Sequence, residues 1–314
     1  MTQVIVVGSG HWGKNLVRNF YELDSLAGAV EVSAPLRQRV KEQYPHVPVF
    51  SDFTEALATD ISAVVLATPA PSHYSLALAA LKAGKDVFVE KPMTLRAAEA
   101  QELATYANTH DQILMVGHLL LYQPAIVWMR NYLTSGKAGQ VQHISTHRLN
   151  LGKVRTTENV WWSLAPHDIS IILDLLGHPK LQQVNASGHS RLQPDIADDV
   201  HVDLTFESGQ TAHLHCSWQW PLKQRGLVAI ATEQMLVYDE IQQLVTIHNK
   251  RIDPQLTAVD EGTTVIDIAD SQPLKLECQH FLECLNTRQT PHSDGWNGVA
   301  VVDILERVQE VLND

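Results

Sequence analysis

The sequence predicts an α/β domain built on a doubly wound parallel sheet over residues 1–118, followed by an α+β domain with an open, mainly antiparallel sheet over residues 119–314. Three observations lead there. Up to about residue 118, short β-branched apolar runs alternate with helix-like stretches, the pattern of repeated strand-helix-strand units. Past residue 200 the apolar period falls to two: Val200, Val202, Leu204 and Phe206 alternate with polar residues, as do Ala212, Leu214, Cys216 and Trp218. A length of 314 residues also exceeds one average domain and suffices for two cores.

In chain order, strands are expected at residues 4–7, 28–33, 47–50 (short), 63–67, 87–90 and 113–116, with helices in the intervals. Residues 72–82 carry Leu76, Leu78, Ala79 and Ala80 and stop at Ala83-Gly84. In the second half, Glu207-Ser208-Gly209-Gln210 is a tight connection that makes the two alternating strands an antiparallel hairpin. Helices at 162–176, 274–285 and 298–312 cover the inner face of that sheet or reach back to the first domain.

Composition narrows the function. Apolar residues are 45% and charged residues 18%, and no apolar run approaches the length of a bilayer span, so no membrane partner is expected. The start, Met1-Thr2-Gln3 running straight into Val4-Ile5-Val6-Val7, has no signal-peptide character, and three cysteines without a C-x-x-C pair suit a reducing compartment. A cytoplasmic protein is the expectation. The formal charge of -12, with no cluster of Lys and Arg, argues against nucleic acid as a partner.

Gly8-Ser9-Gly10-His11-Trp12-Gly13 follows a strand and precedes a helix, the setting in which G-x-G-x-x-G marks a dinucleotide-binding Rossmann domain. The glycines permit a tight turn and close backbone approach, and the helix start offers N–H groups to a pyrophosphate. An acid at the end of the second strand should hold the adenosine ribose. Glu31 lies 18 residues after Gly13, but Val32 follows it and Arg37 and Arg39 are close. Glu31 at the ribose selects NAD; an arginine there admits NADP. Thr68, Pro69 and His73 follow the fourth strand and Glu90-Lys91-Pro92 the next, both at strand ends where open parallel sheets bind ligands.

Through G-x-G-x-W-G, the T-P-x-x-x-H segment and E-K-P, the chain resembles the Gfo/Idh/MocA family of NAD(P)-dependent sugar dehydrogenases over nearly its whole length. That resemblance implies Lys91 beside the nicotinamide and the reacting carbinol, Glu90 on the nicotinamide ribose, and a cis Lys91-Pro92 bond. Three further segments are similar to the branch that oxidises UDP-N-acetylglucosamine-type sugars, including the glucuronic acid form, at C3: Val116-Gly117-His118-Leu119-Leu120-Leu121-Tyr122, Arg148-Leu149-Asn150-Leu151-Gly152-Lys153, and Trp162-Ser163-Leu164-Ala165-Pro166-His167-Asp168. The branch implies catalysis by Lys91 and His167. It also implies a nucleotide-sugar partner held by His118, Tyr122, Arg148, Asn150, Lys153, Arg155, His167 and Asp168, a homo-oligomer (dimer or tetramer), and an aminotransferase consuming the keto product in a surface-polysaccharide pathway. Many family members have Asp four residues before the active-site histidine; Ser163 stands there, so the proton falls to Lys91 and His167 alone.

Read without the resemblance, Pro166 is a helix N1 residue with His167 at the helix start, Asp168 orients His167 or faces the positive end of the dipole, and Arg148, Asn150, Lys153 and Arg155 form a charged loop. Lysine's ordinary pKa of about 10.4 is too high for a base at neutral pH, and burial beside a cation lowers it. Sixteen histidines are many, and His201, His213 and His215 share a strand face; with no cysteine or carboxylate at a ligand spacing, no metal is expected and a polar solvent-facing surface explains them. Trp161, Trp162, Trp218 and Trp220 are expected between sheet and helices. Two alternatives stay open: a dehydrogenase of a free polyol or hexose, and a noncatalytic NAD-binding regulator, which has no need of both Lys91 and His167.

Overall fold

The computed structural model describes residues 2–269 and 271–313. The chain forms two compact units. The first holds residues up to 119 together with Gln272–Asp303; the second holds Leu120–Ser271 together with the chain from Ile304 onward.

The first unit is a parallel sheet of β1 (Val4–Val7), β2 (Leu26–Val30), β3 (Val49–Phe50), β4 (Ala63–Leu66), β5 (Asp86–Glu90) and β6 (Leu114–Gly117), in the order β3-β2-β1-β4-β5-β6. Strands β1, β4, β5 and β6 are buried along their whole length, which is why their sequences hold unbroken apolar runs rather than alternating ones, with Asp86 and Glu90 at the two ends of β5. Helices α1 (Gly13–Glu22), α2 (Ala34–Gln43), α3 (Phe53–Leu57), α4 (His73–Lys82) and α5 (Ala97–Thr109) are the crossovers. The strand order reverses between β1 and β4, so the crevice for a nucleotide lies at their carboxyl ends. β2 starts and stops earlier than the expected 28–33, because Ser33 and Pro35 already open α2.

Two helices close the chain, α8 (Pro273–Thr287) and α9 (Gly295–Asn313). Residues 272–303 pack on the first unit and not in the second, where the sequence had put all of 119–314. Arg288 pairs with Asp86 at the start of β5 (Nη1 to Oδ2, 2.6 Å), and Ser293 accepts from Val116 N of β6 and donates its Oγ to the Val116 carbonyl, each at 2.7 Å. Helix-length reach back to the first sheet was one of the two expectations for this segment.

The second unit carries an eight-stranded sheet ordered β14-β13-β12-β11-β7-β10-β9-β8. Its strands are β7 (Val141–Leu151), β8 (Leu181–His189), β9 (Asp199–Phe206), β10 (Thr211–Ser217), β11 (Gln219–Ala231), β12 (Met235–Asp239), β13 (Leu244–Ile252) and β14 (Ala258–Ile266), with α6 (Pro124–Thr134) ahead of them. β9 and β10 form the expected antiparallel hairpin, while β10 runs parallel to β7. α7 (Val160–Leu176) lies on the inner face against β7, β9 and β10, burying Trp161, Ile169, Ile172 and Leu173. Pro166 is not at the start of this helix: it is the seventh residue of α7, whose cap is Asn159 accepting from the Trp162 N–H. An interior proline removes one helical hydrogen bond and disfavours the helix by about 3 kcal/mol, which the burial of the apolar stripe offsets.

Candidate active site

The glycine loop has the steric form a dinucleotide needs. Gly8 has φ +90°, and a Cβ there meets the Ala67 carbonyl oxygen at 2.9 Å; a Cβ on Gly13 meets the Gly8 oxygen at 2.0 Å. These two glycines let the turn after β1 lie against the end of β4. Gly10 differs, since a Cβ built there meets nothing within 4 Å. Gly10 thus leaves open space at the entrance to α1, a helix start of the kind whose N–H groups can meet a pyrophosphate. His11 and Trp12 are exposed on the same loop.

Glu31 follows β2 directly and is buried, its carboxylate accepting from Ser9 N and Oγ (2.8 and 2.9 Å) and from Ser33 N (2.9 Å). Burial opposes its charge, but these bonds and Arg37 outweigh burial and hold its pKa below the ordinary value. Arg37 spends Nη1 on the Glu31 and Val32 carbonyls (2.8 and 2.7 Å), and Arg39 reaches the Ser9 carbonyl at 3.3 Å.

At the ends of β4 and β5 a buried histidine joins two turns. His73, expected against the cofactor, is buried with Nδ1 on the Pro92 carbonyl and Nε2 on the Thr68 carbonyl, each at 2.8 Å. It ties the turn of Thr68 and Pro69 to the turn after β5. Burial and the Lys91 charge push its pKa down against those two bonds, although both carbonyls accept at once only from the doubly protonated ring.

Glu90 ends β5, buried, and takes a short hydrogen bond from Trp12 Nε1. The indole of the glycine loop is thereby tied to the E-K-P segment, a link the sequence reading missed. Lys91 N also donates to Glu90 at 3.2 Å, and the Lys91-Pro92 peptide is cis, as the family resemblance implied. Lys91 is half-buried, and its charge acts on Glu90, His73 and His118. His118, directly after β6, is 1% exposed with neither ring nitrogen hydrogen-bonded; burial and then Lys91 push its pKa down to about 3, so the ring is neutral.

Behind Glu90 stands a second carboxyl that the sequence reading also missed. Glu277 on α8 is 0% exposed, neither oxygen has a hydrogen-bond partner, and burial followed by the Glu90 charge pushes its pKa well up. Burial likewise raises Glu90, against the pull of Trp12 and Lys91. The signal was available: Glu277 is four residues before Phe281 on the apolar stripe of α8.

In the second unit, Arg148 and Asp168, expected as substrate contacts, form a buried ion pair. Arg148 Nε and Nη2 meet the Asp168 carboxylate at 3.1 and 2.8 Å, Nη2 meets Glu240 at 3.0 Å, and Glu240 also takes Arg225 at 3.0 Å. Burial opposes the guanidinium charge, and Asp168 and Glu240 together outweigh it and raise its pKa. Asp168 therefore orients Arg148, and at mid-helix it is far from the dipole's positive end. Arg148 and Asn150 are strand residues of β7, not loop; Lys153 and Arg155 are exposed beyond it, with Arg155 near Glu158 at 3.7 Å. His167 is half-buried on α7 and Tyr122 is buried.

A parallel sheet with this order, a glycine turn at its switch point and an acid after β2 define a nucleotide-binding protein of the Rossmann class. Comparison with known proteins takes the assignment further. Residues 2–118 match the oxidoreductase family with an NAD-binding Rossmann fold, and residues 126–237 match the GFO/IDH/MocA C-terminal domain. The chain belongs to the Gfo/Idh/MocA family, and it is an NAD-binding oxidoreductase. It is 27% identical to the UDP-N-acetylglucosamine 3-dehydrogenase of Acidithiobacillus ferrooxidans over 95% of this chain and 93% of that one. A solved structure of that dehydrogenase superposes with TM-score 0.88 at 25% identity, covering 99% of this chain and 97% of the other. The scyllo-inositol 2-dehydrogenase (NAD(+)) of Bacillus subtilis is 25% identical over 91% of this chain and 86% of its own. No helix among the described residues is long and apolar enough to cross a membrane.

Proposed function

We propose that the protein oxidises the C3 hydroxyl of a UDP-N-acetylglucosamine-type nucleotide sugar to the 3-keto sugar. The observation that carries this reading is the end-to-end similarity to a UDP-N-acetylglucosamine 3-dehydrogenase in both sequence and fold. NAD, when bound, supplies the hydride acceptor. The chain's own part is to fix the carbinol and to take its proton.

Lys91 Nζ is assigned the hydroxyl proton, with His167 as the second proton-handling group. Glu90, beside Lys91, offers a carboxylate to a ribose hydroxyl, and its bond from Trp12 holds it to the glycine loop. Burial keeps the nearby His118 ring neutral, so it brings no charge of its own to the site. Tyr122, Asn150, Lys153 and Arg155 remain the assigned sugar and diphosphate contacts.

The similarity to scyllo-inositol 2-dehydrogenase, and the commitment of Arg148 to Asp168 and Glu240, favour a second reading in which the substrate is a free polyol. NADH formation at 340 nm separates the two, using UDP-N-acetylglucosamine, its uronic acid form, scyllo-inositol, myo-inositol and glucose. Turnover of a UDP-sugar alone is expected, and Lys91→Ala should lower it by at least about a hundredfold with NAD binding retained. Turnover confined to inositols would replace the first reading with the second. Near-normal activity of Lys91→Ala would remove Lys91 from the mechanism.

A further inference from the structure

The outer face of the second unit's sheet carries a convergence of groups that the oxidoreductase reading leaves unused. Successive residues of a strand alternate faces, so Asp199, His201 and Asp203 of β9 point outward together, as do His213, His215 and Ser217 of β10. The hairpin register sets His201 opposite His215 and Asp199 opposite Ser217. A carboxylate two residues before His201 thus joins two histidines that the sequence alone left without one.

His201 Nε2 and His215 Nε2 both lie 3.3 Å from the same oxygen, Asp199 Oδ1. That separation is at the long end for an N–H···O hydrogen bond, which the His215 contact makes. It equals the edge of a tetrahedron of ligands around an ion with bonds of about 2.0–2.1 Å, which is about 3.3–3.4 Å. The three ligand atoms lie within 4.8 Å of one another, so a modest tilt of one ring completes the triangle. The rings stack at 3.8 Å between centroids, and Trp220 packs edge-on against His215 at 5.5 Å.

The surroundings orient the carboxylate in the manner of a metal site's supporting shell. Ser217 Oγ donates to Asp199 Oδ2 at 2.8 Å and Arg191 Nη1 lies 3.9 Å from it, leaving Oδ1 for the histidines. Asp199 is 6% exposed, whereas the His201 side chain is 41% exposed, so the triad has a supported floor and an open side.

We propose that Asp199, His201 and His215 form a binding site for a divalent transition ion of the zinc class, with a fourth position open to water. Two imidazoles and one carboxylate with an open position suit zinc or cobalt rather than the all-oxygen shells of calcium or magnesium.

The test uses the full chain, stripped with a chelator and dialysed against zinc ion, with bound zinc counted by mass spectrometry; cobalt, added separately, reports four-coordination through its visible absorption. One zinc per chain is expected for the wild type. His201→Ala and Asp199→Asn should lose that equivalent and the cobalt bands, with circular dichroism unchanged. Ser217→Ala, which keeps all three ligands, should bind about 10–100-fold more weakly, and it keeps the test meaningful if Asp199→Asn fails to fold. Wild-type chain that takes up no zinc, or zinc uptake equal in wild type and His201→Ala, overturns the proposal.

Discussion

Gly10 and Gly13 stand three residues apart in one motif, yet their surroundings predict opposite consequences for the same substitution. At Gly10 a Cβ meets nothing within 4 Å and the backbone is not in the positive-φ region. Gly10→Ala should therefore fold normally and, by restricting the unfolded chain, gain about 0.4–1 kcal/mol. For a chain of this size that is a rise of about 1–4 °C in melting temperature. The added methyl occupies the space through which a pyrophosphate meets the α1 amides, so NAD affinity should fall at least tenfold, about 1.4 kcal/mol. At Gly13 the Cβ falls 2.0 Å from the Gly8 oxygen, and backbone must move by more than 1 Å to relieve it. Gly13→Ala should lose about 1–3 kcal/mol of stability as well as the cofactor. Calorimetric titration with NAD and a thermal melt on each variant give the four values. Wild-type NAD affinity in a Gly10→Ala protein that melts at or above the wild-type temperature would falsify the placement of the pyrophosphate over this loop.

Two further perturbations test the buried charges. Removing Asp168 leaves the 4% exposed Arg148 with Glu240 alone; Asp168→Ala should destabilise by about 3–5 kcal/mol, read from urea midpoints, and Arg148→Met with Asp168→Leu should recover most of it. Equal midpoints for wild type and Asp168→Ala refute the structural role. Glu277 has a folded pKa above its unfolded one, so the folded state binds its proton more tightly. Its contribution is fully present below about pH 4.3 and is lost at about 1.4 kcal/mol per pH unit as pH rises toward the folded pKa. Glu277→Gln cannot ionise, so its stability relative to wild type should increase steadily from pH 5 to pH 8; a difference independent of pH rules out a buried, protonated Glu277.

What the sequence made legible follows from which signals are local. The fully buried strands of the first unit read as uninterrupted apolar runs, and the glycine turn is fixed by contacts between residues a few positions apart in the motif or at adjacent strand ends. In the second unit β9 and β10 alternate polar with buried apolar residues along their length, and α7 packs on their buried face. β8 and β14, at the sheet edges, bury too little on either face to impose a period, and β7 mixes the buried Arg148 into its inward positions. Pairings at long range carry no local mark. Arg148 meets Asp168 and Glu240 from 20 and 92 positions away, and a cationic strand residue without sight of its partners reads as a substrate contact.

Glu31 shows how three-dimensional placement bears on a choice that spacing left open. Val32 beside it made the register of the acid uncertain in the sequence, and two nearby arginines kept a 2′-phosphate open beside the ribose. In the fold, β2 ends at Val30, so the first residue past the strand is the acid itself. Its carboxylate is anchored by Ser9 of the glycine loop and by Ser33, and its pKa is held low, which makes it a fixed anion at neutral pH. An anion beside the loop repels a 2′-phosphate and accepts from ribose hydroxyls through the lone pairs that remain. Arg37 is spent on the Glu31 and Val32 carbonyls, and Arg39 leans on the Ser9 carbonyl, so neither guanidinium is arranged as a bidentate phosphate clamp. The same interaction that shapes the glycine turn therefore also favours NAD over its phosphorylated form.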